Sequence, residues 1–253
     1  MANKPSPTFL KSDGKGPSVD GVEIKSELLL GLLRRECNVI FPQLVYIQLR
    51  IHDVLHEPGE PIKFVYFMNS GLTSILNVLP EGKSVEVGLT GKEGFVGLPL
   101  LVGYRTSPNQ AMVQIEGAAF RLKAEALAAI LRHCPALEKR LQRYVQSLAM
   151  QATQVAACNR IHDVEEKLAR WLLMCQDRIG SDTVQLTQEF LAHMLGTRRA
   201  SVTVAAGILQ KAGLIQYTRG RVKILDRAKL QDAACDCYEA MHRQTQNWKS
   251  ESD

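Results

Sequence analysis

Between Glu189 and Asp226 the chain carries no acidic residue, yet it carries Arg198, Arg199, Lys211, Arg219, Arg221 and Lys223. A solvated surface ordinarily interleaves both signs, so an acid-free stretch this basic is built to face anions. Guanidinium and ammonium groups in such a stripe neutralise phosphates and release counterions, which makes affinity depend on salt. Double-stranded DNA is the partner this chemistry points to.

The cations sit in the segment TQEFLAHMLGTRRASVTVAAGILQKAGLI, residues 187–215, whose small residues are spaced for a helix-turn-helix. Thr187 can cap a first helix, and Ala192 is small where two helices must cross closely. Gly196 falls four residues later, where a tight turn demands a left-handed backbone, and Val202 lies six beyond it on the buried side of a second helix. A plain helical hairpin without a DNA role is the competing reading, and the one-signed charge weighs against it. The first turn of a recognition helix enters the major groove, so Arg199 is the candidate for a bidentate contact to guanine O6 and N7. Arg198, Ser201 and Thr187 are placed for phosphates, and Thr203 and Val204 are left near thymine methyl groups. Val202, Ala205, Ala206 and Leu209 form the face toward the core. The following LIQYTRGRVKILD reads as two short strands around 218–220, a wing whose Arg219 and Arg221 reach the backbone beside the groove.

Other reactive residues carry less. Six cysteines, at 37, 134, 158, 175, 235 and 237, are scattered over 253 residues, and reduced thiols are the expected state. Cys235 and Cys237 are read on the last helix with their thiols on different faces, and His52 and His56 as surface histidines in a strand-and-turn region, so no metal site is expected. No nucleophile elbow, phosphate loop or metal-spaced carboxylate pair is present, so no enzymatic activity is expected. With 45% hydrophobic and 23% charged residues the chain is globular, and its net charge is +5. Its apolar runs, such as 28–33 and 95–103, are far shorter than the roughly eighteen residues of a membrane span. The N-terminus lacks the apolar stretch of a secretory signal, so a cytoplasmic protein is expected.

These residues must be positioned by an α+β chain of several parts. Residues 1–23, rich in Lys, Pro, Ser and Gly, read as a disordered leader. Residues 24–134 form a domain that opens on one short helix, Ile24 to Cys37, with Leu28, Leu29, Leu32 and Leu33 on its apolar face. From Leu44 to Leu122, β-branched and aromatic runs alternate with turn residues, and Gly59, Gly71, Gly82 and Gly94 mark strand ends. A small roll or barrel results. Residues 135–159 form a long helix on which Leu137, Leu141, Tyr144, Leu148, Ala152 and Val155 recur at spacings of four or three, the seam of a two-stranded coiled coil. An amphipathic helix packed on its own domain is the other reading of that spacing, and the helix's position between two domains favours a dimer. A hinge follows at 159–163. Residues 160–253 then hold the DNA-binding domain and a C-terminal helix, beginning with Val164 to Ile179, whose Leu168, Trp171, Leu172 and Cys175 face the core.

Taken together, VLHEPGEPIKFVYFMNSG, GFVGLPLL and LTQEFLAHMLGTRRASV give this architecture a resemblance to the Crp/Fnr family of bacterial transcription regulators, over about 43–225. The resemblance implies a double-stranded β-roll of jelly-roll type, cyclic nucleotide-binding-like, a long central dimerisation helix and a C-terminal winged helix-turn-helix. It also implies a homodimer on a pseudo-palindromic operator that contacts RNA polymerase. Arg199 falls on the family's guanine-reading arginine, while Ala200 and Val204 stand where cyclic AMP-responsive members carry a glutamate and another arginine. The effector pocket departs further. Gly97 is followed by Leu98 where a ribose-binding glutamate would stand, and Asn109 and Gln110 occupy the place of the phosphate-binding Arg-Ser pair. Arg105 is the nearby cation, and Ala152 and Thr153 stand near the adenine-contacting hydroxyl pair. A buried phosphate needs a compensating charge, so the effector is expected to be something other than cyclic AMP, and no cofactor is expected. Cys37 alone precedes residue 134, which gives no support to an N-terminal iron–sulfur cluster. The alternative expectation is a cyclic nucleotide-binding signalling module that acts mainly through protein contacts.

Overall fold

Glycine sets the path of the N-terminal sheet. A computed structural model describes residues 16–80, 84–218 and 220–250 and divides into two units, Met1–Ser74 with Thr90–Gln146, and Ile75–Leu89 with Ser147–Asp253. The first unit begins with strands β1 (Ser18–Val19) and β2 (Val22–Glu23), then helices α1 (Glu27–Leu30) and α2 (Arg34–Ile40). Strands β3 (Val45–Leu49), β4 (Val54–His56), β5 (Phe64–Val78), β6 (Ser84–Thr90), β7 (Phe95–Val96) and β8 (Gln110–Lys123) form one sheet, in which the order β3-β8-β5-β6 is joined by β4 against β8 and β7 against β5. Thus β8 pairs with β4 near its start and with β3 near its end. Such long strands must bend, and they do so where Gly71 (φ 77°) lies against Gly117. A Cβ on Gly71 would stand 2.6 Å from the Ile115 carbonyl oxygen, and one on Gly117 2.3 Å from that of Ser70. Gly71 therefore marks a mid-strand bend, not the strand end expected. Gly82 lies outside the described residues.

Two further sequence expectations change here. The leader ends earlier than residue 23: Asp20 (φ 50°) and Gly21 (φ 79°) turn a hairpin whose Val19 is buried with Ile24 in the roll's core. Residues 1–15 lie outside the described residues. The single front helix is instead two, broken at Gly31, where a Cβ would overlap the Arg140 guanidinium. Leu28 and Leu29 face the core, while Leu33 is half exposed. The core of this unit also takes Phe67, Phe95 and Phe120, and it closes against helix α3 (Ala124–Leu131) and the start of α4 (Pro135–Ile161).

In the second unit α4 ends at Ile161, and Asp163 starts α5 (Val164–Ile179) with a reciprocal capping box to Glu166. Strand β9 (Thr183–Gln185), helices α6 (Gln188–Met194) and α7 (Arg199–Lys211), strands β10 (Ile215–Thr218) and β11 (Arg221–Ile224), and helices α8 (Arg227–Asp232) and α9 (Cys237–Ser250) follow. Leu168, Trp171, Leu172 and Cys175 are buried, as the periodicity of α5 requires. Part of the β5–β6 hairpin belongs to this unit, and the buried Glu86 accepts a 2.9 Å hydrogen bond from the Trp171 indole. No described helix is long and apolar enough to cross a membrane.

Candidate nucleic-acid interface

The second unit presents α6 and α7 as a helix pair held on α5, with the Trp171 and Phe190 rings edge to face at 6.2 Å. Thr187 caps α6, its hydroxyl accepting the Phe190 N–H at 3.2 Å. Between the helices Gly196 takes φ 59°, and the Thr197 N–H returns to the Ala192 carbonyl at 2.9 Å. This left-handed step is what the glycine permits, since a Cβ there would be strained by backbone alone. Val202, Ala205, Ala206 and Leu209 are buried, which turns the other side of α7 outward.

That outward side carries the residues chosen from the sequence. Arg198 is the N-cap of α7 and Arg199 its first residue, and both are exposed. Ser201 is half-buried one turn in. Thr203 is exposed, its hydroxyl 2.9 Å from Gln188 Oε1 and 3.0 Å from the Arg199 carbonyl. Val204 is 63% exposed and Ile208 45%, one turn apart on that same outward side. Sequence reasoning overlooked Gln188, whose amide links the first helix to Thr203.

Strands β10 and β11 pair from Ile215↔Ile224 to Thr218↔Arg221, and β9 adds a third strand beside β11. Arg221 and Lys223 both point outward, because Val222 and Ile224 alternate inward. Arg219 lies outside the described residues. Behind the wing, burial pushes the Tyr217 phenol up, against the opposing pull of the Arg199 charge. The Tyr217 hydroxyl donates to the Leu186 carbonyl at 3.1 Å, which fastens the strand to the approach of α6.

On the roll, Gly97 (φ 121°) leads into a short 3-10 turn, Leu98–Val102. Its Cβ would meet Val65 Cγ1 at 2.6 Å, so the close approach needs glycine. Gln110 donates from Nε2 to the Glu57 carboxylate at 2.8 Å. The position expected to neutralise a phosphate thus faces an acid instead. Arg105 is exposed. The Asn109 N–H donates to Ser107 Oγ at 3.0 Å. Gln114 is buried on β8, and neither of its amide atoms makes a hydrogen bond among the described residues. Ala152 and Thr153 stand on the later half of α4, the Thr153 hydroxyl donating to the Met150 carbonyl. His56 is 9% exposed and not a surface residue as expected: it points inward from β4, and burial lowers its pKa.

The long helix also departs from its sequence reading. Leu137, Leu141 and Tyr144 are buried in the core of their own unit, and the Tyr144 hydroxyl hydrogen-bonds Thr90 Oγ1 at 2.7 Å. Leu148 sits against Gly88 of the hairpin, where a Cβ would come within 2.7 Å of it. Ala152 and Val155 are half-buried. The expected interhelix seam therefore packs within the chain over most of its length. Sequence spacing could not separate the two readings because both need the same apolar stripe. The start of the helix is capped by buried Glu36 on α2, whose carboxylate accepts the Ala136 and Leu137 N–H groups at 2.9 and 3.3 Å.

A second departure concerns the cysteines. Cys235 precedes α9 and Cys237 is its first residue, so the helical rule that would send their thiols apart does not apply. Both instead meet Cys158 and His162. The Cys158 thiol is lowered from its ordinary value, first by the hydrogen bond from Cys235, against burial and with help from the Arg170 charge. That same shared hydrogen bond, together with burial, pushes Cys235 up. All six cysteines are free.

A roll, a long helix and a winged helix-turn-helix with an acid-free basic face define a DNA-binding transcription regulator. Residues 46–134 match the family described as cyclic nucleotide-binding domain, and residues 166–233 match the Crp-like helix-turn-helix domain. The transcriptional regulator LdrP of Thermus thermophilus is 26% identical over 204 residues, covering 74% of this chain and 96% of LdrP. The global nitrogen regulator of Nostoc sp. is 22% identical over 210 residues, covering 79% and 93%. The structure of FixK2 from Bradyrhizobium japonicum superposes with a TM-score of 0.65 at 15% identity, over 76% of this chain and 98% of that one. The chain belongs to the Crp/Fnr family of transcription regulators.

Proposed function

We propose that the protein works without catalysis, in the cytoplasm, as a homodimer on a pseudo-palindromic operator, contacts RNA polymerase from there, and answers a signal other than cyclic AMP. The observation that carries the DNA reading is the outward face of α7 and β11. Arg198, Arg199, Arg221 and Lys223 are exposed there, with no acid between Glu189 and Asp226. Arg199 reads a guanine from the first turn of α7. Arg198, Ser201, Arg221 and, by its place in the sequence, Arg219 hold phosphates, with Thr187 beside them. Thr203 and Val204 lie along the groove.

Dimerisation through α4 fits the face left exposed in a single chain. Val145 is 40% exposed, Ala149 and Ala156 are exposed and Ala152 is half-buried, at spacings of four, three and four. This stripe shares Ala152 with the seam drawn on sequence and elsewhere lies one residue further along, roughly 100° around the helix. Its small side chains suit a close helix pair.

Cyclic nucleotides are disfavoured on the roll by Leu98, which cannot accept a ribose hydroxyl, and by the Gln110–Glu57 pair, which offers a phosphate no cation. Removing a charge-assisted contact to a buried phosphate costs about 2 to 5 kcal/mol, roughly thirty-fold or more in affinity. Two titrations test the reading: fluorescent duplex pools should bind with a steep salt dependence, and calorimetry with cyclic AMP and cyclic GMP should give no saturable heat at micromolar concentration. Micromolar cyclic nucleotide binding together with absent duplex binding would favour a signalling module acting through protein contacts.

A further inference from the structure

Four side chains converge where the end of α4 meets the segment leading into α9, all within the second unit. Cys158 Sγ, a ring nitrogen of His162, Cys235 Sγ and Cys237 Sγ lie within 4.8 Å of one another. Cys158 and His162 are four residues apart, and the His162 N–H still bonds the Cys158 carbonyl at 3.1 Å, so the helical path carries both to one face. Cys235 and Cys237 arrive from the other side. We propose that these four residues bind one Zn(II) ion.

The separations are those of one tetrahedral ion. Zn–S near 2.3 Å and Zn–N near 2.0 to 2.1 Å place neighbouring sulfurs about 3.8 Å apart, and sulfur and nitrogen about 3.6 Å apart. Cys158 Sγ and Cys235 Sγ are 3.5 Å apart, and Cys237 Sγ is 3.6 Å from His162 Nδ1. A multi-iron cluster separates its ligands more widely than this span allows. Three sulfurs and an imidazole also select against magnesium, calcium and manganese, which prefer oxygen.

The surroundings supply what a bound ion requires. The other ring nitrogen of His162, Nε2, lies 3.2 Å from Asp236 Oδ1, the carboxylate–histidine arrangement that fixes which nitrogen faces a metal. Gln154 Nε2 donates to Cys237 Sγ at 3.2 Å. Three thiolates around a divalent ion carry one net negative charge. Arg170, 3% exposed and with its Nε making no hydrogen bond among the described residues, supplies the opposite charge to Cys158 and Cys235. A merely apolar cysteine cluster gives no use to this buried cation or to the oriented imidazole. Zinc would displace the thiol protons and tie the C-terminal helix to the joint between α4 and α5.

Metal analysis of the reduced, full-length protein after Zn(II) exposure and dialysis should give one zinc per chain. Co(II) in its place should show the intense visible bands of tetrahedral sulfur ligation. Cys158→Ser and Cys237→Ser should each abolish that stoichiometry, while Cys37→Ser, a cysteine of the other unit, should retain it. Because a ligand variant can fail to fold, Asp236→Asn is the independent arm. Its side chain is 89% exposed, so the fold should persist while zinc affinity falls about ten- to a hundred-fold. A zinc-free protein without tetrahedral Co(II) bands would overturn the proposal, as would full zinc content in folded Cys158→Ser. A Cys158–Cys235 disulfide as the resident state, seen by mass spectrometry, would make the pair a redox couple and overturn it as well.

Discussion

Replacing Leu141 and replacing Val145 should have opposite consequences, although the two are only four residues apart on one helix. Leu141 is fully buried with Phe67, Phe95 and Phe120. Truncation to Ala removes three carbons from a packed core and leaves a cavity, at a cost of about 2 to 5 kcal/mol. For a chain of this size that lowers Tm by roughly 5 to 15 °C. Val145 is 40% exposed and Ala149 is exposed, so placing Asp at both costs about 1 kcal/mol within one chain. In a two-fold dimer each new carboxylate faces its own copy, and burying like charges costs several kcal/mol. Taking only 3 kcal/mol of that, dimer dissociation strengthens about a hundred-fold. Sedimentation equilibrium over a dilution series, beside thermal unfolding, separates the two effects. Leu141→Ala should sediment as wild type but melt early, and the double Asp variant should melt near wild type but dissociate. A double Asp variant that remains a tight dimer, beside a Leu141→Ala protein that becomes a folded monomer, would refute the placement of the interface and restore the seam read from sequence.

Other substitutions probe the DNA face and the second unit. Arg199→Ala should lower affinity for the selected operator by about 1 to 3 kcal/mol and flatten preference at one base position, whereas Arg221→Ala should weaken all duplexes alike and reduce the salt slope by about one; binding-site selection and salt titrations distinguish them. Thr187→Ala removes the α6 cap and should cost about 0.5 to 2 kcal/mol in denaturant unfolding, because the Phe190 N–H loses its partner. Tyr238, whose hydroxyl donates to Asp177 and accepts from Arg227, is pushed up to about 12, chiefly by burial. Below about pH 10 its phenol is neutral in folded and unfolded chains alike; above that the unfolded chain loses the proton first. Stability should therefore fall as pH rises from about 10 to about 12, and Tyr238→Phe should flatten that part of the urea-derived profile.

The helix-turn-helix was readable because its determinants are local. A hydroxyl before α6, a glycine with positive φ and a valine turned inward act through neighbouring backbone, and each choice agrees with the next. The wing was readable for the same reason, since Val222 and Ile224 alternate with Arg221 and Lys223 along one short strand. Gly71 failed as a strand end because its constraint comes from β8, more than forty residues on, where Gly117 must meet it. The front helix failed because its leucine face spans the break, while α1 ends at its C-cap Gly31, a residue that weakens a helix interior.

The long helix shows where local pattern stops deciding. Its repeat of four and three specifies an apolar stripe but not the surface that covers it, and a roll of one chain and a second copy of α4 are equally good apolar solvents for leucine. What decides is the anchor at its start. Glu36, one hundred positions before Ala136, accepts the first free N–H groups of α4 and lies in α2, itself packed in the roll. Once that carboxylate fixes the entry of the helix, Leu137, Leu141 and Tyr144 follow at successive turns into the same core, leaving Val145, Ala149 and Ala156 outward. Glu36→Gln keeps the shape but weakens the charge-assisted cap, and the loss should appear as early unfolding of the roll with no change in the outward face. The outward face of α4, where dimerisation is proposed, is thus set indirectly, by a contact that neither periodicity nor composition along α4 could encode.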